Sequence, residues 1–170
     1  DLSALTEELT ATMEQMSASM EEISATLDSA KKMDHNKIWV VFQPHTYTRT
    51  NALFNQFIEA LAPFDNVIIT DIYAAREKNT IGISSKSLAD KIKNARYISD
   101  FSEISEHLKA NVSENDIVIT MGAGTITDLS KFLLDILWKS VLVYNDVESL
   151  CSYERLGSVP HALVLACLAP

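Results

Sequence analysis

A short segment of this chain joins an apolar run to a dense set of side chains that can bind ligands. Val40, Val41 and Phe42 are followed by a glutamine and by Pro44, which should end a strand because it has no amide hydrogen to donate. The polar residues beyond the proline are His45, Thr46, Tyr47, Thr48 and Arg49. Parallel sheets place their chemistry where strands end. We therefore expect these side chains in a turn between a strand and a helix that begins near Thr50.

The turn after Pro44 suits a ligand that carries a carboxylate or a phosphate. Amide hydrogens at the start of the following helix would meet such an anion, and Arg49 would add a planar guanidinium with paired donors. In a simpler interpretation, Thr48 or Thr50 only caps the helix. His45 would then face solvent, and Arg49 would pair with a surface acid. Composition alone leaves both interpretations open.

A second polar segment, DIYAARE at 71–77, follows another apolar run. A parallel sheet would bring it beside the first turn, so that Tyr73 and Glu77 could line the same crevice. The acids of the segment could instead pair with neighbouring basic side chains at the surface, which is the more common arrangement. Taken alone, this segment is a weak indication of a site.

Two glycines, Gly122 and Gly124, follow a third apolar run. Glycine lets the backbone turn sharply and approach a ligand or a neighbouring helix. The pair is half of a dinucleotide-binding fingerprint, lacks its third glycine, and equally fits tight packing between a strand and a helix. The chain contains no phosphate loop of the form GxxxxGKS or GxxxxGKT, and His35, His107 and His161 have no neighbours at metal-ligand spacing.

Apolar runs and helix-like stretches alternate along the middle of the chain, as in an open α/β sheet. The predicted strands are 38–42, 66–70, 96–99 and 116–121, and the predicted helices are 51–61, 85–94, 102–111 and 126–137. Ser84 and Ser102 are the expected N-caps. The strands are nearly continuous apolar runs, which favours a mostly parallel sheet flanked by helices. Residues 141–144 could add one strand within an otherwise unassigned tail, 138–170.

Residues 1–32 have the pattern of an amphipathic helix. The segment contains no glycine, proline or aromatic residue, and its apolar residues recur every three or four positions. They are Leu2, Leu5, Leu9, Met13, Met16, Met20, Ile23 and Leu27. Several share one heptad position, which allows a partner helix or self-association. The last turns could equally cover the sheet of their own domain.

Composition limits the classes of function. With 170 residues, 47% of them hydrophobic, the chain can bury one core, and we expect a single domain with an appendage. A net charge of -9 disfavours nucleic acids and anionic membranes as partners. Cys151 and Cys167 have no spacing typical of a disulfide framework, and no apolar run reaches the roughly 20 residues of a bilayer span. A soluble, cytoplasmic protein is therefore expected.

Four motifs, taken in order, resemble the C-terminal domain of UDP-N-acetylmuramate L-alanine ligase, a Mur ligase. They are VFQPHTYTRT at 41–50, DIYAARE at 71–77, GIS at 82–84 and DIVITMGAGTI at 116–126. Residues 22–32 also resemble the helix that precedes the first motif in that family. The combination is specific although each motif alone is not, and it assigns residues 33–137 to a ligase-like domain.

The resemblance implies a Rossmann-like lobe that closes over a central ATPase domain. The family uses ATP and magnesium in the bacterial cytoplasm to join UDP-N-acetylmuramate to L-alanine through an acyl phosphate, a step of peptidoglycan synthesis. The implied substrate-binding residues are His45, Thr46, Tyr47, Arg49, Tyr73 and Glu77. His45 and Arg49 would orient the amino acid, with the guanidinium meeting its carboxylate, and Thr46 stands where many relatives carry arginine.

Other features depart from that family. Its UDP-binding and ATPase domains, and the DDYxHHPTE segment expected before residue 22, are missing, so no cofactor and no ligase activity are expected for this chain alone. Residues 9–26, LTATMEQMSASMEEISAT, instead resemble a signalling helix of bacterial chemoreceptors. The chain is therefore interpreted as a chimera or fragment. The alternatives are a noncatalytic helical interaction module with an α/β passenger domain, and a small nucleotide-binding regulator that uses Gly122 and Gly124.

Overall fold

Within the residues that the structure describes, six strands form one parallel sheet. The computed structural model describes residues 2–122, 124–129 and 133, together with the backbone of 141–144 and 162–167. The helices are α1 (Leu2–Lys32), α2 (Tyr47–Ala52), α3 (Phe54–Leu61), α4 (Ser85–Ala89) and α5 (Phe101–Asn111). The strands are β1 (Ile38–Gln43), β2 (Asn66–Ile69), β3 (Ala95–Tyr97), β4 (Ile117–Gly122), β5 (Val141–Tyr144) and β6 (Ala162–Cys167).

The strand order is β3-β2-β1-β4-β6-β5, and every neighbouring pair is parallel. Strands β1 and β4 lie at the centre, and all residues of both are buried. They pair from Ile38 opposite Ile117 to Gln43 opposite Gly122, so both strands end at the same edge of the sheet. The predicted architecture, a mostly parallel sheet flanked by helices with a long N-terminal helix, is confirmed.

Each face of the sheet carries its own core, because alternate residues of a strand point to opposite faces. Val40 and Phe42 pack on the face covered by α1 and α3, where Phe57 lies. Val41 packs on the other face, against Ile104 and neighbouring residues of α5. Burial on both faces explains why the central strands β1 and β4 are nearly continuous apolar runs and do not alternate with polar residues.

Helix α1 has a half that covers the sheet and a half that extends beyond it. Met20, Ile23 and Leu27 are buried in the core. The apolar residues of the first turns, Leu2, Leu5, Leu9 and Met13, are 61% to 80% exposed. The last turns therefore cover the sheet of their own domain, one of the two arrangements that the pattern allows. In the described part of the chain, no helix has both the length and the hydropathy of a bilayer span.

Capping explains where α2 begins. The helix starts at Tyr47 and not near Thr50, because the Thr46 hydroxyl accepts the Arg49 amide hydrogen at 3.4 Å. The expectation that Thr48 or Thr50 caps this helix is therefore wrong. The earlier start shortens the loop after β1 and fixes its polar side chains close to the end of the strand.

Two further caps were expected at serines. Ser84 caps α4, with reciprocal hydrogen bonds between Ser84 and Ser87, as predicted. Ser102 does not cap α5, since the carboxylate of Asp100 accepts the amide hydrogens of residues 102 and 103 at 2.8 and 3.0 Å. A carboxylate at this position also interacts favourably with the positive end of the helix dipole.

Two predicted helices are shorter than their periodicity suggested. The helix expected over 51–61 is divided at Leu53, which leaves helical geometry with φ -98° and ψ 9° and is buried. The helix expected over 85–94 ends at Ala89, because hydrogen bonds between residues three apart replace the helical ones up to residue 95. Periodicity alone does not distinguish such tight turns from a continuing helix.

The end of the chain adds two strands to the sheet. The expected strand at 141–144 is present as β5, and it pairs with β6, which no sequence pattern predicted. Strand β6 in turn pairs with β4. Residues 126–129 and 133 are helical, and the remainder of the helix expected over 126–137 lies outside the described residues.

A buried carboxylate fastens the amino-terminal ends of β1 and β4. Asp116 is 1% exposed and accepts the indole hydrogen of Trp39 at 3.2 Å. It also accepts the amide hydrogens of Lys37 at 3.1 Å and Ser113 at 2.9 Å. A buried carboxylate is costly unless donors such as these satisfy it. The network therefore fixes how the two central strands are joined.

Replacement of Asp116 by alanine should lower the free energy of unfolding by about 3 kcal/mol, since it leaves buried donors without an acceptor. Urea denaturation followed by circular dichroism measures the change. Glu114→Ala removes an exposed carboxylate from the same turn and should change the free energy by less than about 0.5 kcal/mol. Equal losses in the two variants would contradict the role given to Asp116.

Candidate functional site

Backbone hydrogen bonds join two loops at the carboxyl edge of the sheet. The first loop, residues 44–46, follows β1, and the second, residues 70–84, follows β2. The Thr46 amide donates to the Tyr73 carbonyl at 2.9 Å, and the Tyr73 amide donates to the Pro44 carbonyl at 2.8 Å. Parallel pairing thereby continues past both strands, with His45 opposite Tyr73. The two polar segments of the sequence meet at this point.

The rings of His45 and Tyr73 are stacked at the end of the sheet. Their centroids are 5.7 Å apart, and their planes differ by 19°. Gly124 lies against the Tyr73 ring so closely that a Cβ there would come within 2.5 Å of it. A φ of 135° adds a second reason for glycine at this position. Gly124 therefore serves tight packing, and the group it packs against is a predicted site residue.

The side chain of Gln43 connects the segment after β4 to the first loop. It is buried, accepts the Ile126 amide hydrogen at 2.9 Å and donates to Thr125 Oγ1 at 3.1 Å. Gly122 lies so close that a Cβ would overlap the Gln43 carbonyl oxygen. Sequence reasoning did not select Gln43. The available signal was a polar residue at the end of a strand that is otherwise wholly apolar.

Thr46 has an unusual backbone conformation. Its φ is 55° and its ψ is 150°, although β-branched residues rarely adopt a positive φ. The conformation is enforced from three sides: the Thr46 amide is bound to Tyr73, its hydroxyl caps α2, and its carbonyl accepts the Thr50 hydroxyl hydrogen at 2.6 Å. Strain of this kind persists only where the surroundings impose it, and it is concentrated at functional sites.

Glu77 crosses from the second loop to the first. Its carboxylate accepts the Thr48 hydroxyl hydrogen at 2.6 Å and the Thr48 amide hydrogen at 3.0 Å. The bond from the Thr48 hydroxyl is the main reason that the pKa of Glu77 lies below its ordinary value, and the backbone of Tyr47, the first residue of α2, contributes to it. The protein's own carboxylate therefore occupies amide hydrogens at the start of α2 that were expected to meet a ligand.

The guanidinium of Arg49 is held by α1. Its Nη2 donates to the hydroxyl of Ser19, and that hydroxyl donates to the carbonyl of Gln15 at 3.1 Å. Partial burial lowers the pKa of Arg49, but a guanidinium remains charged at neutral pH. Arg49 thus interacts with the N-terminal helix, which neither interpretation of the sequence anticipated. Ser19 carried no signal, because a serine on a helix is ordinarily solvated.

A small cavity lies between these groups. Ser19, His45 and Arg49 line it, and its volume is about 20 Å³. A space of that size holds little more than one water molecule. A ligand larger than water would therefore meet His45 and Arg49 from the open side of the site, where Tyr73 is 36% exposed, or after movement of α1.

The surroundings of His45 favour its neutral form. Burial is the main cause of a pKa below the ordinary value, and the positive charge of Arg49 adds to the effect, while the negative charge of Glu77 opposes it. A neutral imidazole has one donor and one acceptor. Beside a permanent guanidinium charge, it can orient a ligand that carries both a carboxylate and a hydrogen-bond donor.

Asp71 serves the second loop and lies apart from these contacts. Its carboxylate accepts the Tyr97 hydroxyl hydrogen at 2.5 Å, which ties the loop to β3 and raises the pKa of Tyr97. The surface ion pairs considered for Asp71 and Glu77 are thus replaced by bonds to hydroxyl and amide groups. Within the described residues, no group of three or more His, Cys, Asp or Glu side chains is placed to hold a metal ion.

Comparison with known proteins relates this part of the chain to one family of ligases. Residues 15–124, more than half of the chain, match the family described as Mur ligase, glutamate ligase domain. The UDP-N-acetylmuramate–L-alanine ligases of Lachnospira eligens and Caldanaerobacter subterraneus subsp. tengcongensis are each 50% identical to it, over 112 and 113 residues. The enzyme of the same name from Clostridium perfringens is 44% identical over 112 residues.

These alignments cover 64% of this chain but only 24% or 25% of each relative, so the chain spans about a quarter of the length of the curated relatives it matches. The part that matches the family, residues 15–124, contains the second half of α1, the loops after β1 and β2, Gly122 at the end of β4, and Gly124. The shared region therefore includes the stacked rings of His45 and Tyr73, the guanidinium of Arg49 and the segment at Gly124. The chain belongs to the Mur ligase family and matches its glutamate ligase domain.

Proposed function

We propose that the α/β body of this chain is the amino-acid-binding lobe of a UDP-N-acetylmuramate–L-alanine ligase. The observation that supports this most directly is the meeting of His45, Arg49 and Tyr73 at the end of two neighbouring parallel strands. The names of the relatives supply the substrate, because the shared region includes all of these residues. Residues 33–137 form the ligase-like part in this proposal.

In the proposed complex, Arg49 binds the carboxylate of L-alanine. Its guanidinium is charged, partly buried and oriented by Ser19, so little conformational freedom is lost on binding. His45 lies beside it and would accept a hydrogen bond from the amino group or donate one to the carboxylate. Tyr73 would complete the open side of the site as an apolar wall with a polar end.

Thr46, Tyr47 and Glu77 would act in this proposal by positioning the first loop. The Glu77 carboxylate is already engaged with Thr48, and the Thr46 hydroxyl with the helix start, so these groups shape the loop more than they offer free contacts. Their substitution should therefore affect ligand binding through the placement of His45 and Arg49.

ATP, magnesium and UDP-N-acetylmuramate belong to the whole enzyme in this proposal. The described residues include neither a phosphate loop nor a cluster that could hold a metal ion, so this proposal gives them no role in binding ATP and magnesium at the reacting centre. The part assigned to this chain is the orientation of the amino acid, and we expect no ligase activity from the chain alone.

L-alanine should bind weakly to the isolated chain and shift the amide resonances of residues 45–49 and 73. Arg49→Gln should weaken this binding by about tenfold or more, because it removes the charge that meets the carboxylate. Heteronuclear NMR titration with L-alanine measures the affinity. Arg76→Gln removes an equal charge from an exposed position in the second loop and is the matched control.

Equal weakening in the Arg49 and Arg76 variants would show that only overall charge matters. Absence of any shift at millimolar L-alanine in the folded chain would contradict the proposed site.

His45 should make stability depend on pH. Its pKa in the folded protein lies below the ordinary value of 6.5, so the unfolded chain takes up this proton at higher pH than the folded chain does. The contribution of His45 to the free energy of unfolding is therefore retained above pH 6.5 and lost as the pH falls through the folded pKa. Urea denaturation at pH values above and below 6.5 measures this effect. The free energy of unfolding should fall less toward acidic pH in His45→Gln than in the unchanged chain. Parallel pH profiles would exclude this linkage.

The uncovered half of α1 supports a second candidate function, association with another helix. We propose that the first turn of the chemoreceptor-like segment 9–26, at residues 9–13, forms part of this surface. The exposed stripe lies on one side of the helix and consists of Leu2, Leu5, Leu9 and Met13. A partner helix would remove these apolar side chains from water, which is favourable. This is the helical interaction module considered as the alternative from sequence.

A second copy of the chain is the partner that the geometry favours, in antiparallel orientation. The exposed stripe lies on the same side of α1 as Ile23 and Leu27, which pack against the sheet later in the helix. A parallel partner in register would therefore collide with the body of the domain. An antiparallel partner over residues 2–13 would carry its own body away from the first one.

Leu5→Asp combined with Leu9→Asp should abolish concentration-dependent dimers, because both charges would lie in the middle of the paired stripe. Sedimentation equilibrium measures the association. Ala11→Asp places the same charge on the opposite, exposed side of the helix and should leave the dimers unchanged. A chain that is monomeric at all accessible concentrations would remove this second function while leaving the ligase lobe unaffected.

A further inference from the structure

A groove opens at the amino edge of the sheet, opposite the edge that carries His45 and Tyr73. Its volume is about 430 Å³. Lys37 precedes β1, Lys93 lies in the turn before β3, Arg96 lies in β3, and His107 faces the groove from α5. We refer to this concavity as the amino-edge groove.

The charge of the amino-edge groove is opposite to that of the chain as a whole. The chain carries 23 acidic and 14 basic residues, yet Lys37, Lys93 and Arg96 share this groove with one acid, Asp65. Among the described residues, the ion pairs within 4.0 Å are Lys31–Asp28 and Lys86–Asp90, so none involves the groove. A concave site whose lining carries an excess of one sign of charge concentrates the field that it presents to a ligand.

The acid of the groove is already partly satisfied by a neighbour. The side-chain amide of Asn94 donates to Asp65 Oδ1 at 3.1 Å. Asn66 and Asn94 are also among the lining residues, so the groove combines permanent cations with residues that have neutral amide donors. Such a set of groups satisfies an oxyanion with several acceptor oxygens better than it satisfies a cation or an apolar ligand.

The back wall of the groove is fixed by the core. Trp39 is 6% exposed, and its indole nitrogen donates to Asp116 at 3.2 Å. The ring of His107 meets the Trp39 ring edge-on, with centroids 5.9 Å apart. The backbone of Lys37 is bound to the same carboxylate. The groove is therefore preformed, which reduces the entropy lost when a ligand binds.

We propose that the amino-edge groove binds a compact anion of the phosphate-ester or diphosphate class. Its volume is within the range of small-molecule sites. Beyond Arg96 the surface continues into a depression lined by Glu103 and Glu106, whose negative charge ends the basic surface. A nucleic acid needs a longer run of basic groups along its backbone, so a small anion is the ligand that fits.

Inorganic pyrophosphate is the probe that tests this site. In about 0.1 M salt, where surface attraction is largely screened, pyrophosphate should shift the amide resonances of residues 37–39, 93–96 and 107–111. Lys93→Gln combined with Arg96→Gln should weaken its binding by about tenfold or more. Calorimetric titration measures the affinity, and circular dichroism verifies that the variant is folded. Arg76→Gln with Lys78→Gln removes two exposed charges outside the groove and is the matched control.

Unchanged affinity in the control variant, with loss in the groove variant, supports the site. An equal loss of pyrophosphate affinity in both variants would show that binding depends only on the overall surface charge, and it would overturn the proposal. Shifts that centre on His45 and Arg49, or no shift in the folded chain, would overturn it as well. Tighter binding of a long single-stranded nucleic acid than of pyrophosphate would overturn the proposal, because the ligand of the groove would then belong to a different class.

Discussion

The two backbone hydrogen bonds between Pro44, Thr46 and Tyr73 are the interaction on which the candidate site depends. They extend parallel pairing beyond the last residues of β1 and β2, so loops that would otherwise separate are held side by side. The stacking of His45 on Tyr73 follows from that pairing. So does the position of Thr46, whose positive φ is retained because pairing and helix capping act on the same residue.

The rest of the carboxyl edge closes around this pairing. Gln43 holds the start of the segment after β4, and Gly124 lets that segment lie against the Tyr73 ring. Glu77 returns from the second loop to Thr48, which connects the loops a second time through side chains. Three loops from widely separated parts of the chain thus support one small set of groups. Residue types that indicate little on their own can form a binding site when surrounding contacts hold them in a fixed geometry.

The two edges of the sheet differ in character. The carboxyl edge presents a neutral imidazole and one guanidinium in a confined space, whereas the amino edge presents several exposed cations around a preformed wall. The long helix α1 belongs to the first edge through Ser19 and Arg49, and its early turns extend beyond the body. The residues matched to the Mur ligase family, 15–124, include the groups of both edges.

The order of apolar runs determined the α/β class, and it placed the ends of β1 and β4 one residue before their observed ends at Gln43 and Gly122, because a buried parallel strand is apolar on both faces. The sequence also determined that His45 and Arg49 would follow one such end. Only the tertiary structure decided that Glu77 occupies the amides of α2, that Ser19 holds Arg49, and that an apolar tail joins the sheet beside β4. Those contacts join residues about 30 or more positions apart, and local propensity does not encode which distant element will supply a partner.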